Sequence, residues 1–112
     1  GFSIPERETH KNLEEIIKRA RKITNNIIFM ELKNCDESKT MPVPWRDVYY
    51  TNKNIKKYVE IMKDACEKNN ILFLGLKPLT PKDFDDGLHP NAVGHEKIFV
   101  AVKDFLIQNK WI

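Results

Sequence analysis

Two short and almost wholly apolar runs, Ile-Ile-Phe-Met-Glu-Leu at 27–32 and Ile-Leu-Phe-Leu at 71–74, each follow a stretch of helical periodicity. That alternation limits the fold more than any other feature. Leu13, Ile16, Ile17, Ala20 and Ile23 recur at helical spacing and predict an amphipathic helix over about 7–23, broken by Asn25-Asn26. Ile55, Tyr58, Val59, Met62 and Cys66 predict a second helix that Asn69-Asn70 ends. Ile98, Val102, Phe105 and Leu106 mark a third, beginning near Asn91, a preferred N-cap residue. Runs apolar on both faces read as buried strands of a parallel sheet, and strands alternating with helices read as βαβ units. Two strands alone leave two long unpaired edges. The expected architecture is therefore half of an α/β sandwich, completed by strands outside this chain or by pairing with another chain, a second copy through the sheet edge included.

Length and charge narrow the function. With 112 residues there is room for one domain, and no apolar run approaches the 18 or so residues of a membrane-spanning helix. Lys and Arg total 19 against 16 Asp and Glu, a net charge of +3, but the basic residues sit near acids. Glu14 precedes Lys18 and Glu15 precedes Arg19 by one helical turn, and Glu60 and Asp64 follow the cluster Lys53, Lys56, Lys57. These are solvated helix faces, and a nucleic-acid partner is not expected. Cys35 and Cys66 make no disulfide framework, and neither lies beside a base, so both read as structural. They leave the compartment undetermined; nothing at the front of the chain resembles a signal peptide, which favours the cytoplasm slightly.

Residues 34–51 form a long connection carrying Pro42, Pro44 and the aromatics Trp45, Tyr49 and Tyr50, either a functional lid or a surface loop covering the core. The chemistry is concentrated further on, in Asp86-Gly87-Leu88-His89-Pro90-Asn91-Ala92-Val93-Gly94-His95. An Asp three residues before a His can turn back and accept the Nδ1 proton, fixing the tautomer and leaving Nε2 as the base. Gly87 permits the bend, and Pro90 keeps His89 extended at the mouth of the last helix. The loop follows a predicted strand, where ligands bind in open α/β sheets.

The string D-G-L-H-P-N-x-x-G-H ahead of an apolar helix resembles the C-terminal signature block of the SGNH (GDSL-type) serine hydrolases. The order of predicted elements agrees along essentially all 112 residues, although only this block is specific. The resemblance implies a three-layer α/β/α, flavodoxin-like fold with a parallel sheet, of which residues 1–112 would be the C-terminal part. It also implies a Ser-His-Asp triad in which Asp86 orients His89 and His89 deprotonates a serine that attacks a small acyl or acetyl ester. No cofactor is implied. The oxyanion would be held by the nucleophile's backbone N–H, a glycine and an asparagine. If the 34–51 loop lines the pocket, Trp45 and Tyr49 are candidates to contact the acyl or sugar group.

The family's Gly-Asp-Ser, glycine and Gly-x-Asn-Asp blocks precede the first helix of this chain, and none of them is present. Ser3 follows no strand, and Ser38 lies in a polar loop without a glycine-rich turn. The chain is thus expected to carry the base and its orienter but not the nucleophile, and to be inactive alone. An alternative from another class is a non-catalytic α/β binding or assembly module retaining the Asp-His loop as a vestige. A phosphate or nucleotide binder fits less well, for want of a Gly-rich loop after a strand. His89 and His95, six residues apart, do not match helical metal-ligand spacing, so no metal is expected. His95 is expected to pack or hydrogen-bond in the last helix, and His10 to be solvent-exposed.

Overall fold

Phe29 and Phe73 point to the same side of a two-stranded parallel ladder, and that pairing organises the structure, a computed structural model that describes residues 5–43 and 50–112. The order is α1 (Glu6–Arg21), β1 (Ile28–Met30), α2 (Glu37–Thr40), α3 (Asn52–Lys68), β2 (Leu72–Leu74), a 3-10 turn (Pro81–Asp83) and α4 (Ala92–Gln108). Ile28, Phe29 and Met30 pair with Leu72, Phe73 and Leu74.

Side chains alternate across a strand. On one face Phe29 and Phe73 pack with Leu13 and Ile27 against Ile17 of α1, Ala65 and Cys66 of α3, and Ile71. Fully burying a side chain such as Ile17 is worth roughly 1.5–3 kcal/mol. Polar bonds finish the α1–α3 contact. Arg21 donates to the carbonyl of Asn69 at 2.5 Å, Asn69 donates to the carboxylate of Glu14, and Lys57 pairs with Glu6. On the opposite face Leu74 shares a groove with Ile98, Ala101 and Phe105 of α4, so helices flank the sheet on both sides.

Several expectations shift in detail. α1 ends at Arg21 rather than Ile23, where Arg21 is held by the end of α3, and Ile23 lies 87% exposed beyond it. Ile16 is also exposed, because α1 meets α3 along the narrower stripe of Leu13 and Ile17. The first strand pairs over three residues rather than six, with the Glu31 N–H adding one more bond to the Leu74 carbonyl. In the described part of the 34–51 connection, Asp36 caps α2 by accepting from Ser38 N–H, and Cys35, Thr40 and Val43 are buried. Of the two acid–base pairs expected on α1, Glu15–Arg19 forms at 2.9 Å, whereas Glu14 is engaged by Asn69. Among the described residues no helix is long and apolar enough to cross a membrane.

α4 differs from the other long helices in being apolar nearly all round. Its inner side chains are half-buried, Gly94 alone is buried, and Val93, Phe99, Val100 and Ile107 are exposed. A helix of that character is suited to a core larger than the one these residues enclose.

Candidate active site

The loop from Thr80 to Asn91 leaves the carboxyl end of β2 and returns to start α4. Its two arms are sewn together. Phe84 and Pro90 form an antiparallel bridge, Asp85 N–H donates to the His89 carbonyl at 3.0 Å, and Asn91 N–H donates to the Asp83 carbonyl at 2.8 Å. Asn91 caps α4 by accepting from Gly94 N–H at 3.0 Å, while its amide donates to the Lys82 carbonyl.

Within this closed loop Asp86 and His89 face each other. His89 Nδ1 lies 2.6 Å from Asp86 Oδ2, and Asp86 Oδ1 accepts the backbone N–H groups of Leu88 at 2.9 Å and His89 at 2.7 Å. Partial burial pushes the Asp86 carboxyl up. The hydrogen bonds and the charge of His89 outweigh it, and the pKa is pulled down to about 2. At neutral pH Asp86 is therefore a carboxylate, which can only accept, so in the neutral ring Nδ1 must carry the proton and Nε2 the lone pair. The carboxylate is 27% exposed and the imidazole 66% exposed, so the ring lies at the surface over a partly sheltered anchor.

Gly87 makes the turn possible. Its φ of +85° is one that side-chain-bearing residues rarely adopt, and an added Cβ would sit 2.8 Å from Lys39 Cβ and 2.9 Å from the Asp36 carbonyl oxygen. The loop is thus pressed against α2.

The arrangement can hold one histidine tautomer and steady an imidazolium, which is what a general base requires. The model of the GDSL-like lipase/acylhydrolase family matches residues 1–97, a span that includes the whole of this loop. The chain belongs to that family. No curated protein matches it. Among solved structures it is similar to a GDSL-like lipase from Bacteroides thetaiotaomicron, with 18% identity and a TM-score of 0.75 over 96% of this chain and 55% of that one. It is also similar to an α/β hydrolase from the metagenome of Lake Arreo, Spain, with 19% identity and a TM-score of 0.66 over 93% of this chain and 47% of that one. At such identity these likenesses speak for the fold, and the fold is the α/β one expected. The GDSL-like chain spans about half the length of the solved structures it matches.

Of the residues singled out in the sequence, Asp86 and His89 are brought together. Trp45 and Tyr49, like Ser3, lie outside the described residues. Ser38 lies in the cap of α2, where its hydroxyl donates to Asp36 at 2.6 Å. His95 is exposed on the first turn of α4, so it does not pack, and its backbone N–H rather than its ring makes the helical bond to Asn91. His10 is exposed as expected. Among the described residues no three metal-capable side chains cluster.

Asp83, the start of an acidic tract in sequence, and Lys97 prove to be paired at the root of the loop. Asp83 is buried, and its Oδ2 accepts from Thr80 N–H at 2.8 Å, Thr80 hydroxyl at 3.0 Å and Lys97 Nζ at 2.7 Å. The Lys97 hydrogen bond, reinforced by Thr80, holds its carboxyl below the usual range. A signal was available: Thr80-Pro81-Lys82-Asp83 has the S/T-x-x-D spacing of a capping box with proline in the first turn.

Proposed function

We propose that this chain is the C-terminal part of a GDSL-type ester hydrolase. It supplies Asp86 and His89 of a Ser-His-Asp triad to a serine that lies elsewhere in the whole domain. The observation that carries the reading is the 2.6 Å contact of His89 Nδ1 with a carboxylate whose other oxygen is held by two backbone N–H groups. The family match supports the reaction class. The half-length correspondence to the similar solved structures, the two-stranded sheet and the exposed apolar face of α4 support a larger domain.

In this reading His89 Nε2 takes the proton of the serine hydroxyl as its Oγ adds to the ester carbonyl carbon. The tetrahedral oxyanion collapses, the bond to the alkoxy oxygen breaks, and His89 returns the proton to the departing alcohol. Water then adds to the acyl-serine with His89 again accepting its proton, and the acid leaves with the serine reprotonated. Asp86 stays ionised throughout and steadies the imidazolium. The substrate class is a small acyl or acetyl ester, with Trp45 and Tyr49 as candidate contacts to its acyl or sugar portion.

Treatment with a fluorophosphonate probe followed by denaturing intact-mass analysis tests the reading. The 112-residue chain alone should remain unlabelled at 13.2 kDa, whereas a longer form, or a second polypeptide bound to it, should carry one adduct that His89→Ala abolishes. An unlabelled longer form would overturn the hydrolase reading in favour of a non-catalytic binding module.

A further inference from the structure

The root of the Asp86–His89 loop is fastened to α4 by a pair that the triad itself does not include. Asp83 is the fully buried charged side chain among the described residues, and its partner Lys97 stands two turns into α4 with its side chain half exposed. Asp83 also presents its backbone carbonyl to Asn91 N–H, the point where the loop closes and α4 begins. The first turn of α4 rests on the same carbonyl at Gly94, where any Cβ would collide with it. One residue therefore joins three things: the turn after β2 through Thr80, the returning arm through Asn91, and the body of α4 through Lys97.

We propose that Asp83 and Lys97 form a positioning pair that sets the angle between α4 and the loop and thereby holds His89 against Asp86. The proposal rests on the triad reading for its catalytic meaning, but the coupling it asserts lies within this chain. α4 has no large side chain fully buried, so apolar packing alone does not fix its tilt on the loop. The ion pair supplies the missing constraint: a buried carboxylate that loses its cation is strongly driven to reorganise toward water. Reorganisation at Asp83 would withdraw its carbonyl from Asn91 and loosen the bridge between Phe84 and Pro90. The hydrogen bonds of Leu88 and His89 to Asp86 sit inside that bridge.

The test reads His89 directly and needs neither nucleophile nor substrate. In 15N NMR of the wild-type chain, the neutral His89 ring should be the Nδ1–H tautomer, and the amides of Leu88 and His89 should be protected from exchange. Lys97→Met should give a mixture of tautomers and exchange about tenfold faster at these two amides, the loss expected when a charge-assisted clamp is removed. Core amides such as that of Cys66 should be unaffected, and Lys97→Arg should restore the wild-type pattern. Wild-type tautomer and protection in Lys97→Met would overturn the proposal. Should Lys97→Met lose α4 altogether by circular dichroism, Asp83→Asn is read by the same criterion: a mixed tautomer supports the pair, an unchanged one overturns it. Failure of the triad reading would appear separately, as ester hydrolysis by a longer form that survives His89→Ala.

Discussion

The Gly87 carbonyl accepts the backbone N–H of Asp36 at 2.8 Å, so the turn that carries Asp86 and His89 is built against the cap of α2 rather than standing free. With φ at +85° and only 2.9 Å between an added Cβ and the Asp36 carbonyl oxygen, Gly87→Ala must strain the turn and push α2 away together. We expect a loss of about 1–3 kcal/mol in stability, measured by urea denaturation. The same variant should lose the His89–Asp86 hydrogen bond, seen as a change of His89 tautomer by NMR.

Asn91 does two jobs at the start of α4. Its side-chain oxygen accepts Gly94 N–H, and its amide donates to the Lys82 carbonyl on the outgoing arm of the loop. Asn91→Ala removes both, and the cap alone is worth about 1 kcal/mol. Asn91→Asp keeps the cap acceptor but gives up the bond to Lys82. The expected order of thermal midpoints is wild type, then Asn91→Asp, then Asn91→Ala.

The elements were legible where periodicity was strong. Leu13, Ile17 and Ala20, and Val59 and Cys66, mark helix faces that bury, and Asn91 marks the start of α4 in sequence as in structure. Ile16 and Ile23 misled because an apolar residue at helical spacing states which face could be buried, not how wide a neighbour will cover it. The short α2 was illegible: four residues show no period, and what holds them is the contact of Thr40 hydroxyl with the Tyr50 carbonyl at 2.8 Å, across ten residues of chain.

Acid should open the loop before it melts the core. Asp86 has its carboxyl pulled down to about 2, and Asp83 is also held low, both by hydrogen bonds made in the folded state. A carboxyl depressed on folding contributes stability that is full above its unfolded value near 4 and is lost as pH falls through the folded value. The window is therefore about pH 4 down to about 2. Protection of the Leu88 and His89 amides should fall across it, ahead of the loss of protection at Ile17 and Cys66, whose burial is apolar.

Both cysteines are buried, and burial pushes each thiol up, away from the reactive thiolate. Cys35 is also tied in place: Asn52 clasps its backbone on both sides, with Oδ1 accepting its N–H at 2.8 Å and Nδ2 donating to its carbonyl at 3.0 Å. Neither thiol should react with Ellman's reagent at pH 8 in the folded chain, and both should react in guanidinium. Fast reaction of Cys35 in native buffer would show that the segment around it opens far more readily than its bonding implies.

The site was half legible in sequence, and the two histidines show which half. The spacing of Asp86, Gly87 and His89 specifies a local turn, so nothing distant had to be known to foresee the contact. The environment of His95 depends instead on what lies against α4, which no local pattern specifies, and its ring proves to be exposed. In a longer, ester-hydrolysing form, His89→Ala should lower kcat/KM by at least about 10⁴-fold, as loss of a triad base does. His95→Ala should change neither kcat/KM nor thermal midpoint by more than the small margin of a surface substitution. A large loss of activity from His95→Ala with stability unchanged would mean that the remainder of the domain folds over the first turn of α4 and brings substrate to it. The base would then have to be reassigned between the two rings.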